Sequence, residues 1–79
     1  MFKAYVLVVA DPAKTRQVAA ALRNVEGVVE CHEVMGPYDI VAEVEVADIT
    51  DIPPILGPRI RSIDGVQSTT SLVTLPERE

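Results

Sequence analysis

The sequence predicts an α+β sandwich of order β-α-β-β-α-β, one four-stranded antiparallel sheet with two helices on one face. Three observations carry that prediction. Apolar runs of strand length at Phe2 to Ala10, Val28 to Met35, Ile40 to Val46 and Val66 to Leu75 enclose two stretches of helical periodicity. The tetrapeptides Val25-Glu26-Gly27-Val28 and Ile63-Asp64-Gly65-Val66 repeat one helix-exit and strand-entry device, so the chain reads as two similar halves. The second and third strands are separated only by Gly36-Pro37-Tyr38-Asp39, which makes them neighbours across a tight corner. Together these give a ferredoxin-like sandwich in a single domain, residues 1–79.

The first strand is apolar at nearly every position of Ala4-Tyr5-Val6-Leu7-Val8-Val9, where a half-exposed strand would alternate. Two helices cover only one face of a sheet, so a second copy of the chain is expected on the other. Asp11 is expected to cap the first helix and Pro12 to open it, since proline at the first helical position lacks only an unpaired donor. Val18, Ala19, Leu22 and Val25 form its buried stripe, and Gly27 is expected to stop it. The second helix, Asp48 to Ser62, presents Ile49, Ile52, Leu56, Ile60 and Ile63 on one face. With Asp51 as its cap, Pro53 and Pro54 fall in the first turn, and Gly57-Pro58 kinks the middle. Gly65 ends it, the last strand follows, and Pro76 to Glu79 is a frayed tail.

The chain is 79 residues long and 48% apolar, an excess that small domains often resolve by oligomerising. No run is long enough to span a bilayer, there is no secretory signal, and the single cysteine, Cys31, forms no internal disulfide. These point to a cytoplasmic protein with no membrane partner. The net charge is −5, and the basic residues are scattered. Arg59 and Arg61, the one close pair, would point in different directions on a helix. Direct nucleic-acid binding, which needs clustered basic residues, is not expected.

The corner Gly36-Pro37-Tyr38-Asp39 carries more chemistry than chain reversal needs. A free amino acid needs an anion for its ammonium group and donors for its carboxylate. Asp39 supplies the anion, backbone amides near Gly36 supply donors, and Tyr38 offers an apolar wall with a polar tip. Thr69 and Ser71, two apart on the last strand, project hydroxyls to one side and can donate as well. The plainer alternative is that Asp39 bonds within its own turn and that threonine simply favours strands; on the residues alone both readings stand. Cys31 and His32 are adjacent on a strand and face opposite ways, so they cannot chelate one ion. No other Cys or His exists to complete a site, so no metal and no cofactor is expected. Glu43 and Glu45 share one face, read as solvated or facing a water-filled pore.

Val34 to Val44, followed by Ile60 to Ser71, resembles the effector-binding domain of the Lrp/AsnC regulators, also called the RAM domain. The Gly-x-Tyr-Asp corner and the Gly-Val-x-x-Thr-x-Ser/Thr end are specific as a pair, and the resemblance spans Ala4 to Leu75. It implies a sandwich that dimerises sheet to sheet as a dimeric α/β barrel, with dimers assembling into octamers or decamers. It also implies an amino-acid effector bound between dimers by Gly36, Tyr38, Asp39, Thr69 and Ser71, with no catalytic residue. Ser71 stands where the family usually has threonine. The chain opens directly on its first strand, so it looks like a stand-alone form without the helix-turn-helix domain. Such a form would sense an effector alone or by co-assembling with full-length regulators. The competing readings are a dimeric α/β-barrel enzyme, monooxygenase- or isomerase-like, using His32, and an assembly domain whose ligand site is vestigial.

Overall fold

Four strands pair antiparallel in the order β2-β3-β1-β4, with β1 at Phe2–Ala10, β2 at Val28–Glu33, β3 at Ile40–Val46 and β4 at Val66–Val73. The computed structural model describes residues 2–75, the side chain of Leu56 excepted. The expected tail, Pro76 to Glu79, lies outside the described residues. Helix α1 (Thr15–Arg23) follows β1, and a composite helical segment, α2 (residues 49–61), follows β3, which gives the expected β-α-β-β-α-β order.

The register explains the apolar β1. Val8 lies between Ile40 and Thr69, and Val6 between Ala42 and Ser71, on the face the helices cover. Ala4, Val6, Val8, Ala10, Ile40, Ala42 and Val44 are buried there against Val18, Ala19 and Leu22 of α1 and Ile52, Ile55 and Ile60 of α2. Burying each larger aliphatic side chain contributes roughly 1.5–3 kcal/mol, and among the described residues no polar side chain is buried with them. Tyr5, Leu7 and Val9 point the other way, with Val41 and Leu72 opposite Leu7 and Tyr5, and the helices leave that face open. Glu43 and Glu45 share it, opposite Tyr5 and Lys3, with Lys3 Nζ 3.9 Å from the Glu43 carboxylate.

Several element ends differ from expectation. Asp11 caps a turn and not the helix: its Oδ1 accepts from Ala13 N at 2.9 Å and its carbonyl accepts from Lys14 N, so α1 begins only at Thr15. The helix stops at Arg23, with Asn24 as its cap, before Gly27 is reached. Strand β2 ends at Glu33, leaving Met35 fully exposed in the corner, and β4 ends at Val73. The cap of α2 is Asp48, whose carboxylate accepts from both the amide and the hydroxyl of Thr50, at 2.9 and 2.8 Å. An aspartate two residues before a threonine closes this turn ahead of the prolines, so Asp51 is left without a capping bond.

Beyond that cap α2 changes pitch three times: a 3-10 turn at Ile49–Asp51, an α turn at Ile52–Pro54 and a wide π-type turn at Ile55–Arg59. Pro58 has no amide hydrogen and its ring crowds the carbonyl four residues back. The turn opens, and the amide of Ile60 donates to the carbonyl of Ile55, five residues earlier. The opened pitch brings Ile55 into the core beside Ile52 and Ile60 and leaves Ile49 half exposed. The side chain of Leu56, also expected on that face, lies outside the described ones.

The two repeated tetrapeptides fold alike. Val28 N donates to Val25 O at 3.1 Å and Val66 N to Ile63 O at 3.2 Å, with Gly27 at φ +99° and Gly65 at φ +101°. Glycine in the third place with positive φ is what a type II turn requires.

Candidate functional site

The corner is a loop of residues 34–39 whose ends are tied three ways. Val34 N donates to Asp39 O, and Asp39 N donates to Val8 O, both at 2.9 Å. The Asp39 carboxylate then reaches over the end of β1, where Oδ2 accepts the amide hydrogen of Ala10 at 2.8 Å. The side chain of Asp39 therefore bonds to a neighbouring strand and not within its own turn. Its second oxygen accepts no hydrogen bond among the described residues, and the residue is partly exposed. Gly36 and Pro37 are exposed, while Tyr38 is half-buried.

Thr69 and Ser71 do share one face of β4, and it is the helix side of the sheet. Thr69 completes a row with Val8 and Ile40, the residue after Asp39. With β1 between them, the backbones at Thr69 and Ile40 stand about 10 Å apart. Ser71 sits one row further from the corner, opposite Val6. Gly36, Tyr38, Asp39 and Thr69 thus gather at one end of the sheet, and Ser71 lies deeper along its edge.

Thr69 also lines a groove of about 290 Å³ with Arg61, Val66, Gln67 and Ser68. Between Val66, opposite Ala10, and Ser68, opposite Val9, Gln67 is one residue too many, a bulge in the edge strand. The guanidinium of Arg61 and the amide of Gln67 add donors near Thr69 that the sequence reading did not include. A glutamine two places after the exit glycine, with an arginine four before it, was the available signal.

The Cys31-His32 pair behaves as its parity requires. Cys31 is buried, its Sγ 3.8 Å from Ala19 O, and burial pushes its thiol pKa up, with Glu33 adding to the rise and Arg23 opposing it. His32 lies on the open face of the outer strand, its side chain two-thirds exposed and Nε2 3.5 Å from Glu30. Among the described residues no group of three His, Cys, Asp or Glu side chains could hold a metal. No helix of the described residues is long and apolar enough to cross a membrane.

The model of the Lrp/AsnC ligand-binding domain matches residues 3–78. The chain belongs to this family. Over 71 residues the Lrp/AsnC domain is 31% identical to the leucine-responsive regulatory protein of Haemophilus influenzae, covering 90% of this chain and 43% of that protein. It spans about half the length, or less, of such curated regulators. A stretch of 60 residues is 42% identical to part of a homocitrate synthase of Sulfolobus acidocaldarius, covering 75% of this chain and 13% of that protein. Among solved structures, TTHA0845 from Thermus thermophilus superposes with a TM-score of 0.92 at 28% identity, covering 100% of this chain and 99% of that one. The family's fold is the four-stranded antiparallel sheet with two helices described above.

Proposed function

We propose that this Lrp/AsnC domain is an amino-acid-responsive module that works as an oligomer. Two copies pair through the open sheet faces carrying Tyr5, Leu7, Val9, Val41 and Leu72, and dimers assemble into octamers or decamers. A free amino acid binds at the seam between dimers, its ammonium group on the unoccupied oxygen of Asp39. Its carboxylate meets amides near Gly36 and the hydroxyls of Thr69 and Ser71, and Tyr38 walls the side chain. The module reports its ligand alone or by co-assembling with full-length Lrp/AsnC regulators inside the cytoplasm.

The observation that carries this reading is the family match over residues 3–78. The geometry supports it, because Asp39 is fixed by Ala10 through one oxygen and keeps the other for a ligand. Nothing favours the enzyme alternative: His32 is exposed on an edge strand with one glutamate beside it.

Calorimetry across the free amino acids, with light scattering for particle size, tests the proposal. Saturable binding of at least one amino acid, lost in Asp39→Ala, is expected. No binding by any of them, together with an Asp39→Ala assembly identical to the parent, would overturn it.

A further inference from the structure

The two halves of the chain carry the same device at the two edges of the sheet. Arg23 is the last residue of α1 and Arg61 the last of α2, each four residues before the glycine of its type II turn. Each lines a groove along the edge strand that follows, about 280 Å³ on β2 and about 290 Å³ on β4. The linings correspond place by place: Val28 with Val66, Val29 with Gln67, Glu30 with Ser68 and Cys31 with Thr69. Both strands bulge at the second of these places. Val29 is the extra residue between Val28 and Glu30, as Gln67 is between Val66 and Ser68.

The equivalence shows what an arginine does at this position. Arg23 turns its guanidinium onto the strand and donates to the carbonyl of Cys31 at 3.1 Å. The counterpart acceptor is the carbonyl of Thr69, and Arg61 does not take it. Among the described residues Arg61 makes neither a hydrogen bond nor an ion pair, and Asp64, the acid three residues on, is held by Lys14 at 2.9 Å. The side chains beside the fork also differ, and all in one direction. Where the β2 groove has valine, glutamate and cysteine, the β4 groove has an amide and two hydroxyls. No acid lines it, and each of its polar side chains can donate. One cation, several donors and no anion suit a molecule that is negative and carries no ammonium group.

We propose that the β4 groove binds the carboxylate of a small organic acid without a cationic group, such as a 2-oxo acid. Arg61 takes the carboxylate through its planar fork, and Gln67 and Thr69 donate to the oxygens that remain. Thr69 also borders the corner, but the groove needs nothing from Asp39. The inference therefore stands whether or not the corner takes an amino acid.

The test is an amide NMR titration of the full chain, at constant ionic strength, with pyruvate, L-alanine and inorganic phosphate. Alanine has the skeleton of pyruvate with an ammonium group in place of the oxo oxygen. Pyruvate is expected to shift Gln67, Ser68 and Thr69 saturably, and alanine to bind there weaker by about tenfold or more. Arg61→Lys keeps the charge without the fork and should weaken pyruvate by about fivefold or more, with the urea midpoint reporting that the variant is folded. Asp39→Asn, which keeps an oxygen for Ala10 N, should leave pyruvate binding unchanged. Alanine binding as tightly as pyruvate would overturn the proposal, as would pyruvate affinity untouched by Arg61→Lys. Phosphate displacing pyruvate from these amides at lower concentration would assign the groove to phosphate and overturn the carboxylate. Loss of the pyruvate shifts in Asp39→Asn would move the anion to the corner and overturn the groove. Absence of any saturable shift at Gln67, Ser68 or Thr69 up to ~10 mM pyruvate would overturn it outright.

Discussion

The carboxylate of Asp39 holds the amide of Ala10 at 2.8 Å across 29 residues of chain, and so ties the corner to the end of the central strand. Removing it orphans a buried donor. Asp39→Ala is expected to cost about 1–3 kcal/mol in urea unfolding. Asp39→Asn keeps a carbonyl oxygen for Ala10 and should recover most of that stability, yet lose the negative charge. If the corner binds an ammonium group, calorimetry will find both variants equally weak toward amino acids.

The two turn glycines differ from the corner glycine in what surrounds them. A Cβ on Gly65 would lie 2.8 Å from Val18 Cγ2 and 2.9 Å from Lys14 Cβ, at a φ of +101°. Gly65→Ala should destabilise by at least the roughly 1–3 kcal/mol of backbone strain. Gly36 has nothing within 4 Å of that position, so Gly36→Ala bears the strain of its backbone alone and should cost less. Equal urea midpoints for the two variants would contradict this account.

Asp48 gives a sign for acid sensitivity. The amide and hydroxyl of Thr50 hold its pKa below the ordinary 3.8, so the cap is fully present above that value and is lost as pH falls through the lower, folded one. The amide shift of Thr50, which bonds the Asp48 carboxylate, should therefore titrate below about pH 4, and Asp48→Asn should remove most of that change.

Cys31 should resist thiol reagents at pH 8. Its raised pKa keeps the thiol protonated, and the core covers it. Labelling is expected to follow opening of the edge strand β2, slower than a free cysteine by orders of magnitude. A rate near that of the free amino acid would mean that β2 frays readily.

The open face of the sheet offers the most direct test of assembly. Leu7→Asp puts a charge at its centre, opposite Val41 and Thr70, without touching the helix-side core. Light scattering should find smaller particles, with unfolding of the separated chains still cooperative. His32→Ala, at an exposed edge, should change stability by less than about 0.5 kcal/mol and leave every ligand response as it was.

The strands and their order were legible because hydrophobic periodicity and the paired Gly27 and Gly65 turns are local signals. The ends of the helices were not. Asp11 and Asp51 both stand before plausible first turns, and only competition with neighbouring donors decided that Asp11 closes a turn and that Asp48 caps α2. The wide turn at Pro58 could be read as an interruption, but not as the i→i+5 bond from Ile60 to Ile55 that it makes. At the site, the residues of the corner were visible as a motif. The bond from Asp39 to Ala10 was not, because it depends on the register of β1 against β3.

One hydrogen bond near the ends of the sheet has a wider meaning. Thr74 N donates to Lys3 O at 3.0 Å, so the first and last strands enter and leave the sheet side by side. A fold entered and left at one point can be inserted at a surface loop of a host protein without stretching either. Portability of this kind is a property of the strand order, and it lets one such domain be joined into a longer chain with only a short joint at each end.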